Sequence, residues 1–157
     1  MTVRSKILRM GFLLLLCIGT YWFSYTYLAE RYNIRYNVTE SVPYTLFLGH
    51  PIEKVERSSY VSFYRADNYL PLVKEIKGIP GDIIETIEKD VYVNGQYCGH
   101  AKPVSNSGKE YTAIESQIIP PGYIYVFSPH PNSFDSRYAE FGLVKIADLT
   151  EALWAIY

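Results

Sequence analysis

The sequence predicts a mainly β protein: one antiparallel domain preceded by a single N-terminal transmembrane helix. Three observations carry this. Met10 to Ala29 (MGFLLLLCIGTYWFSYTYLA) holds 20 residues without a charge, about 30 Å of helix and one hydrocarbon core. The remainder breaks into short runs rich in β-branched residues and tyrosine, of which there are 16, separated by proline, glycine and asparagine. A length of 157 residues suits one domain with its own core.

The first nine residues contain Arg4, Lys6 and Arg9 and no acid, which predicts a cytoplasmic N-terminus. Residues 10–29 are the predicted anchor. Tyr21, Trp22, Phe23, Tyr25 and Tyr27 gather at its far end, where amphipathic rings favour the lipid–water boundary. A cleavable secretory leader is the alternative, but the bulky Tyr27 two residues before Ala29 is a poor cleavage context. Residues 30–157 then form the extracytoplasmic domain. With the three leading basic residues set aside, 12 remain against 16 acids, a net of -4. Nothing in this balance points to nucleic acid.

Along the domain, residues 30–37 read as a polar link. Tyr60 to Tyr64 alternates weakly, and Leu72 to Ile76 is a strand bounded by Pro71 and by Gly78-Ile79-Pro80-Gly81-Asp82, a type II turn signature that Asp82 caps. Ile83 to Ile87 and Val91 to Val93 are strands joined across Glu88-Lys89-Asp90. Asn94-Gly95 between Val91-Tyr92-Val93 and Gln96-Tyr97-Cys98 is a strong hairpin signal. Ala101 to Lys109 reads as a loop and Tyr123 to Phe127 as a strand after Pro120-Pro121-Gly122. Ala147 to Glu151 reads as one helical turn, flanked by strands at Leu143 to Ile146 and Ala152 to Tyr157. Cys17 lies in the apolar run, far from Cys98, so a disulfide between them is not expected.

Three clusters bear chemistry. The first is TESVPYTLFL, residues 39–48, with Ser41 one residue short of Pro43. A serine hydroxyl is a weak nucleophile and needs a base within hydrogen-bond reach. His50, His100 and His130 sit in loop-like settings, and Cys98-x-His100 lacks the second ligand pair of a zinc site, so neither a metal nor another cofactor is expected. Lysine is the other possible base. Its free pKa near 10.4 leaves about one in a thousand neutral near neutrality, whereas a value of about 8 leaves roughly a fifth, for a cost near 3 kcal/mol. A lysine so used must lie on a buried face. In Leu72-Val73-Lys74-Glu75-Ile76-Lys77, strand alternation puts Lys74 with Leu72 and Ile76 and puts Lys77 with Glu75. Only Lys74 is placed to be desolvated; the alternative is that it snorkels at a strand edge. The third cluster is NSFDSRY, residues 132–138, in which Asp135 and Arg137 are spaced to pair.

Taken in order, these clusters resemble the signal peptidase family of serine–lysine proteases. TESVPYTLFL is similar to its serine block, VKEIKGIPGD to its lysine block, VYVNG to the hairpin that follows, and NSFDSRY-x-x-FG to its final box. Where that box ordinarily opens with Gly-Asp-Asn-Arg, this chain has Ser128-Pro129-His130-Pro131. HPNSFDSRY and the threonine two before the serine resemble the TraF-type peptidases of conjugative transfer systems. The resemblance implies a signal-peptidase-like β fold with Ser41 as nucleophile and Lys74 as base. It also implies an oxyanion site from the Ser41 N–H and the Thr39 hydroxyl, Ser133 orienting Lys74, and Asp135 paired with Arg137. The implied substrate is a pilin or similar exported precursor, with cyclisation in some members. Val42 to Leu48 and the segment around Lys74 are expected to line an open edge for an extended substrate, with small side chains before the cut. A general signal peptidase acting on secretory preproteins and a non-catalytic anchored β module are the other readings.

Overall fold

In the computed structural model, residues 3–37, 41–66, 68–105 and 108–157 are described. The chain divides into two compact units, Met1–Asn33 and Ile34–Tyr157. The first is one helix, α1 (Val3–Arg31). Its segment Leu8–Arg31 is long and apolar enough to cross a membrane, and its large side chains from Leu8 to Leu28 stand exposed.

The second unit is built from antiparallel strands in two sheets. The larger contains β1 (Asn33–Tyr36), β2 (Leu46–His50), β3 (Tyr60–Arg65), β4 (Asn68–Gly78), β9 (Tyr123–Phe127), β10 (Val144–Lys145) and β11 (Leu149–Ala155), in the order β1-β2-β11-β3-β4-β9-β10. The smaller runs β7-β6-β5-β8, with β5 (Ile83–Ile87), β6 (Asp90–Val93), β7 (Gln96–His100) and β8 (Gln117–Ile118). Asn94 and Gly95 take φ of 50° and 75°, the double left-handed pair of a type I′ hairpin. Asp82 accepts the Ile79 N–H through its carboxylate at 2.9 Å and closes the turn at the end of β4. Its Arg57 partner, more than any other influence, holds its pKa down at about 2.

Three buried clusters hold the unit together. Val61, Phe63, Ile76, Ile124, Val126, Tyr138 and Phe141 fill one face of the large sheet. Ile84, Val91, Val93, Cys98, Ile114, Ile119 and Tyr125 fill the space at the small sheet, and Val42, Phe47 and Leu153 form a third group. Cys17 and Cys98 are both free thiols; burial raises the Cys98 pKa to about 11.

Several expectations are corrected. The link at 30–37 contains β1, because the alternating Asn-Ile-Arg-Tyr lies beside β2 as an edge strand. β4 runs through Pro71, where proline removes a donor only on a side with no partner strand: β9 pairs β4 from Glu75 onward. The turn near 147 is a single 3-10 turn, Ile146–Asp148, and β11 begins at once after it. His50 and His100 lie in strands, not loops. Within Val42 to Leu48, the part in β2, Leu46 to Leu48, is not an open edge, since β2 is flanked by β1 and β11. Among the described residues, the unpaired edge near Lys74 is the first half of β4, Asn68 to Val73, paired only with β3.

Candidate active site

Alternation along β4 decides the fate of its two lysines. Lys77 lies with Glu75 and pairs with it at 2.6 Å. Lys74 lies with Leu72 and Ile76 on the face turned toward the core and is 2% exposed. Its ammonium donates to Ser133 Oγ at 2.6 Å and to Ser128 Oγ at 3.0 Å. Burial pulls its pKa down to about 8; Asp135 opposes that shift and Arg137 adds to it. The two fixed charges pull in opposite directions, so desolvation sets the outcome.

Ser128 directly follows β9. The register pairs Ile76 with Val126 and Glu75 with Phe127, so the residue after β9 falls opposite Lys74. Ser133 comes from the loop that follows, and that loop is tied by Asp135 and Arg137. The fully buried Asp135 carboxylate accepts the Ser128 N–H at 3.0 Å, Arg137 Nε at 2.8 Å and an Arg137 terminal nitrogen at 2.9 Å. The same guanidinium donates to the Ser133 carbonyl at 3.1 Å, so one bidentate pair holds both serines that receive the lysine. Arg137 also rests against the Phe127 and Tyr138 rings, 5.1 and 5.8 Å from their centres. At Gly99 (φ 115°) a Cβ would come within 2.9 Å of its guanidinium. Glycine at that point lets β7 lie against the arginine.

Ser41 is half-buried and lines a cleft of about 420 Å³ together with Lys74, Ser133, His130 and the Phe134 and Phe141 rings. The structure therefore gathers Ser41, Lys74 and Ser133 at one cleft, with Asp135 and Arg137 buried behind it. Thr39 lies outside the described residues. Of the histidines, His50 stacks on Trp154 with ring centres 4.0 Å apart and His100 pairs with Asp90 at 2.8 Å. Only His130 lines the cleft, with its Nδ1 accepting the Asn132 N–H at 3.3 Å.

Two participants were not singled out in the sequence. Ser128 had no signal beyond its place at the end of a strand, because its meeting with Lys74 depends on the β4–β9 register. Arg65 also lines the cleft, its guanidinium 4.4 Å from the centre of the Phe141 ring and 5.3 Å from that of Phe134.

The sequence profile of the family described as "Signal peptidase, peptidase S26" matches residues 7–157. The chain belongs to the signal peptidase family. A curated relative, the conjugal transfer protein TraF of Agrobacterium fabrum (strain C58), is 30% identical over 73 residues, covering 45% of this chain and 40% of that protein. The chain thus spans about two fifths of that relative's length. The likeness agrees with the TraF-type branch read in the sequence. Among solved structures, a signal peptidase I from Enterococcus faecalis V583 is 26% identical and covers 66% of this chain and 99% of its own, with a TM-score of 0.46.

Proposed function

We propose that this signal peptidase family member is a membrane-anchored serine endopeptidase in which Ser41 is the nucleophile and Lys74 its base. The observation that carries the reading is a buried lysine, held by two serine hydroxyls and low in pKa, on the wall of a cleft that Ser41 also lines. Neutral Lys74 Nζ takes the Ser41 Oγ proton as the oxygen adds to the scissile carbonyl. The same nitrogen, now an ammonium, gives that proton to the departing amine and leaves an acyl-serine. Water, deprotonated by Lys74 in turn, releases the product; a substrate amine in place of water closes a ring. The Ser41 N–H and the Thr39 hydroxyl hold the oxyanion, where losing one donor costs about 3 kcal/mol of barrier. Ser133 orients Lys74, and Asp135 with Arg137 fixes the loop that carries Ser133. An extended substrate adds along the open side of Asn68 to Val73, the half of β4 that pairs only with β3.

The substrate in this reading is a pilin or similar exported precursor of a conjugative system, which the TraF likeness supports. Helix α1 crosses the inner membrane with its N-terminus cytoplasmic, and the β unit works on the periplasmic side. Co-expression with a pilin precursor, read by intact mass, tests the proposal. A trimmed precursor is expected with the natural chain and none with Ser41→Ala. A product lighter by one water than the trimmed linear chain marks a ring. An unchanged phenotype for well-expressed Ser41→Ala would instead favour an anchored β module without catalysis. A second reading, general processing of secretory preproteins, draws on the profile match across nearly the whole chain. Rescue of a cell depleted of its own signal peptidase would establish it over the specialised one.

A further inference from the structure

Ser133 has two neighbouring hollows. One is the cleft it shares with Ser41 and Lys74. The other, of about 250 Å³, shares Asn132, Ser133 and Phe134 with the first and continues away from it toward Val104, Tyr111 and Tyr138. Apart from Ser133, the reaction assigned to Ser41 and Lys74 uses no residue of this second hollow.

Its walls are aromatic and fixed. Tyr111 stacks on Phe134 with ring centres 4.7 Å apart at 18°. Tyr138 tilts against both, at 5.0 and 5.6 Å, and is itself buried. The mouth is polar: Lys102 Nζ donates to Asn132 Oδ1 at 2.6 Å. A pocket with an apolar ring-lined interior and polar groups at its mouth suits one large apolar side chain whose backbone stays outside.

Its position relative to the chemistry says which part of a substrate reaches it. Lys74 returns its proton to the departing amine, so the leaving segment starts beside Lys74. Lys74 donates to Ser133, and Ser133 lines both hollows. A chain running from the scissile bond past Ser133 therefore enters the second hollow with residues from the C-terminal side of the cut. We propose that this pocket is a specificity site for an aromatic side chain, Phe or Tyr, within the first three residues after the scissile bond. The proposal rests on the peptidase reading above.

The test does not require the natural substrate. The full-length protein in detergent is incubated with a complex peptide library, and the cut sites are read by mass spectrometry against a Ser41→Ala background. The proposal expects Phe and Tyr enriched on the order of tenfold at one of the first three positions after the cut, the scale at which an apolar pocket discriminates. Val104 is exposed at the rim, so Val104→Trp can fill the pocket without burdening the core, and it should reduce that enrichment to less than about twofold. Cleavage with no aromatic preference at those positions, or a preference that survives Val104→Trp, overturns the proposal and leaves the peptidase reading standing. Absence of any cleavage dependent on Ser41 overturns both.

Discussion

Raising the pH should switch this protein on by discharging one ammonium group. With Lys74 at about 8, about 1% of molecules hold it neutral at pH 6, about 9% at pH 7, half at pH 8 and about 90% at pH 9. If neutral Lys74 is the base, kcat/KM should rise about ninefold from pH 6 to 7, about fivefold from pH 7 to 8 and about twofold from pH 8 to 9, a gain of roughly ninetyfold overall. The assay is the initial rate of precursor or peptide cleavage by the full-length protein at constant ionic strength, with the protein shown to be folded at each pH. Lys74→Arg sharpens the comparison: it keeps a cation, but guanidinium does not discharge in this range, so the rise should vanish along with the activity. A flat profile between pH 6 and 9 would refute the lysine base. A pH-dependent rise that disappears with His130→Gln while Lys74→Arg retains it would transfer the role to the histidine in the cleft.

The same burial has a stability consequence. The folded pKa of Lys74 lies below its ordinary value, so the unfolded chain binds more protons between about pH 8 and 10.5, and folding stability gains about 3 kcal/mol as pH rises through that window. Lys74→Met removes that handicap and forfeits two hydrogen bonds of about 1 kcal/mol each. It should be inactive yet about 1 kcal/mol more stable at pH 7, with the advantage gone above pH 10, as followed by denaturant titration. Lys77→Ala should keep most activity, since it removes the partly exposed pair with Glu75, worth at most about 1 kcal/mol, and a 6.0 Å approach to the Phe127 ring; loss of cleavage in this variant with Lys74→Ala active would reverse the assignment. Asp135→Asn leaves Arg137 buried without its anion and should cost about 3–5 kcal/mol, read as a lower thermal midpoint. Gly99→Ala should destabilise by about 1–3 kcal/mol, because the left-handed backbone and the Arg137 guanidinium both oppose a side chain there.

Where local rules governed, the sequence was readable. Period-two alternation separated Lys74 from Lys77, and the Asn94-Gly95 and Ile79-to-Asp82 turns marked two chain reversals. What depended on register or on distant partners was not. Ser128 meets Lys74 only because β9 pairs β4 at one offset. Pro71 looked like a strand boundary because the missing partner on that side is a property of the sheet. The residues of β1 looked like a polar link because Arg35 is satisfied by Glu151, 116 positions away. Asp135 and Arg137 were recognisable as a pair from their spacing. That the pair also binds the Ser128 N–H and the Ser133 carbonyl required the folded loop.

The central claim is that a neutral Lys74 activates Ser41, and covalent trapping reads it most directly. A serine-directed peptide phosphonate should leave one adduct, mapped by peptide mass to Ser41, forming faster at pH 8 than at pH 6. Lys74→Met should slow that adduct on the order of a thousandfold, the scale of a lost general base. Modification of another residue, or equal labelling of Ser41 in the Lys74→Met protein, would contradict the account.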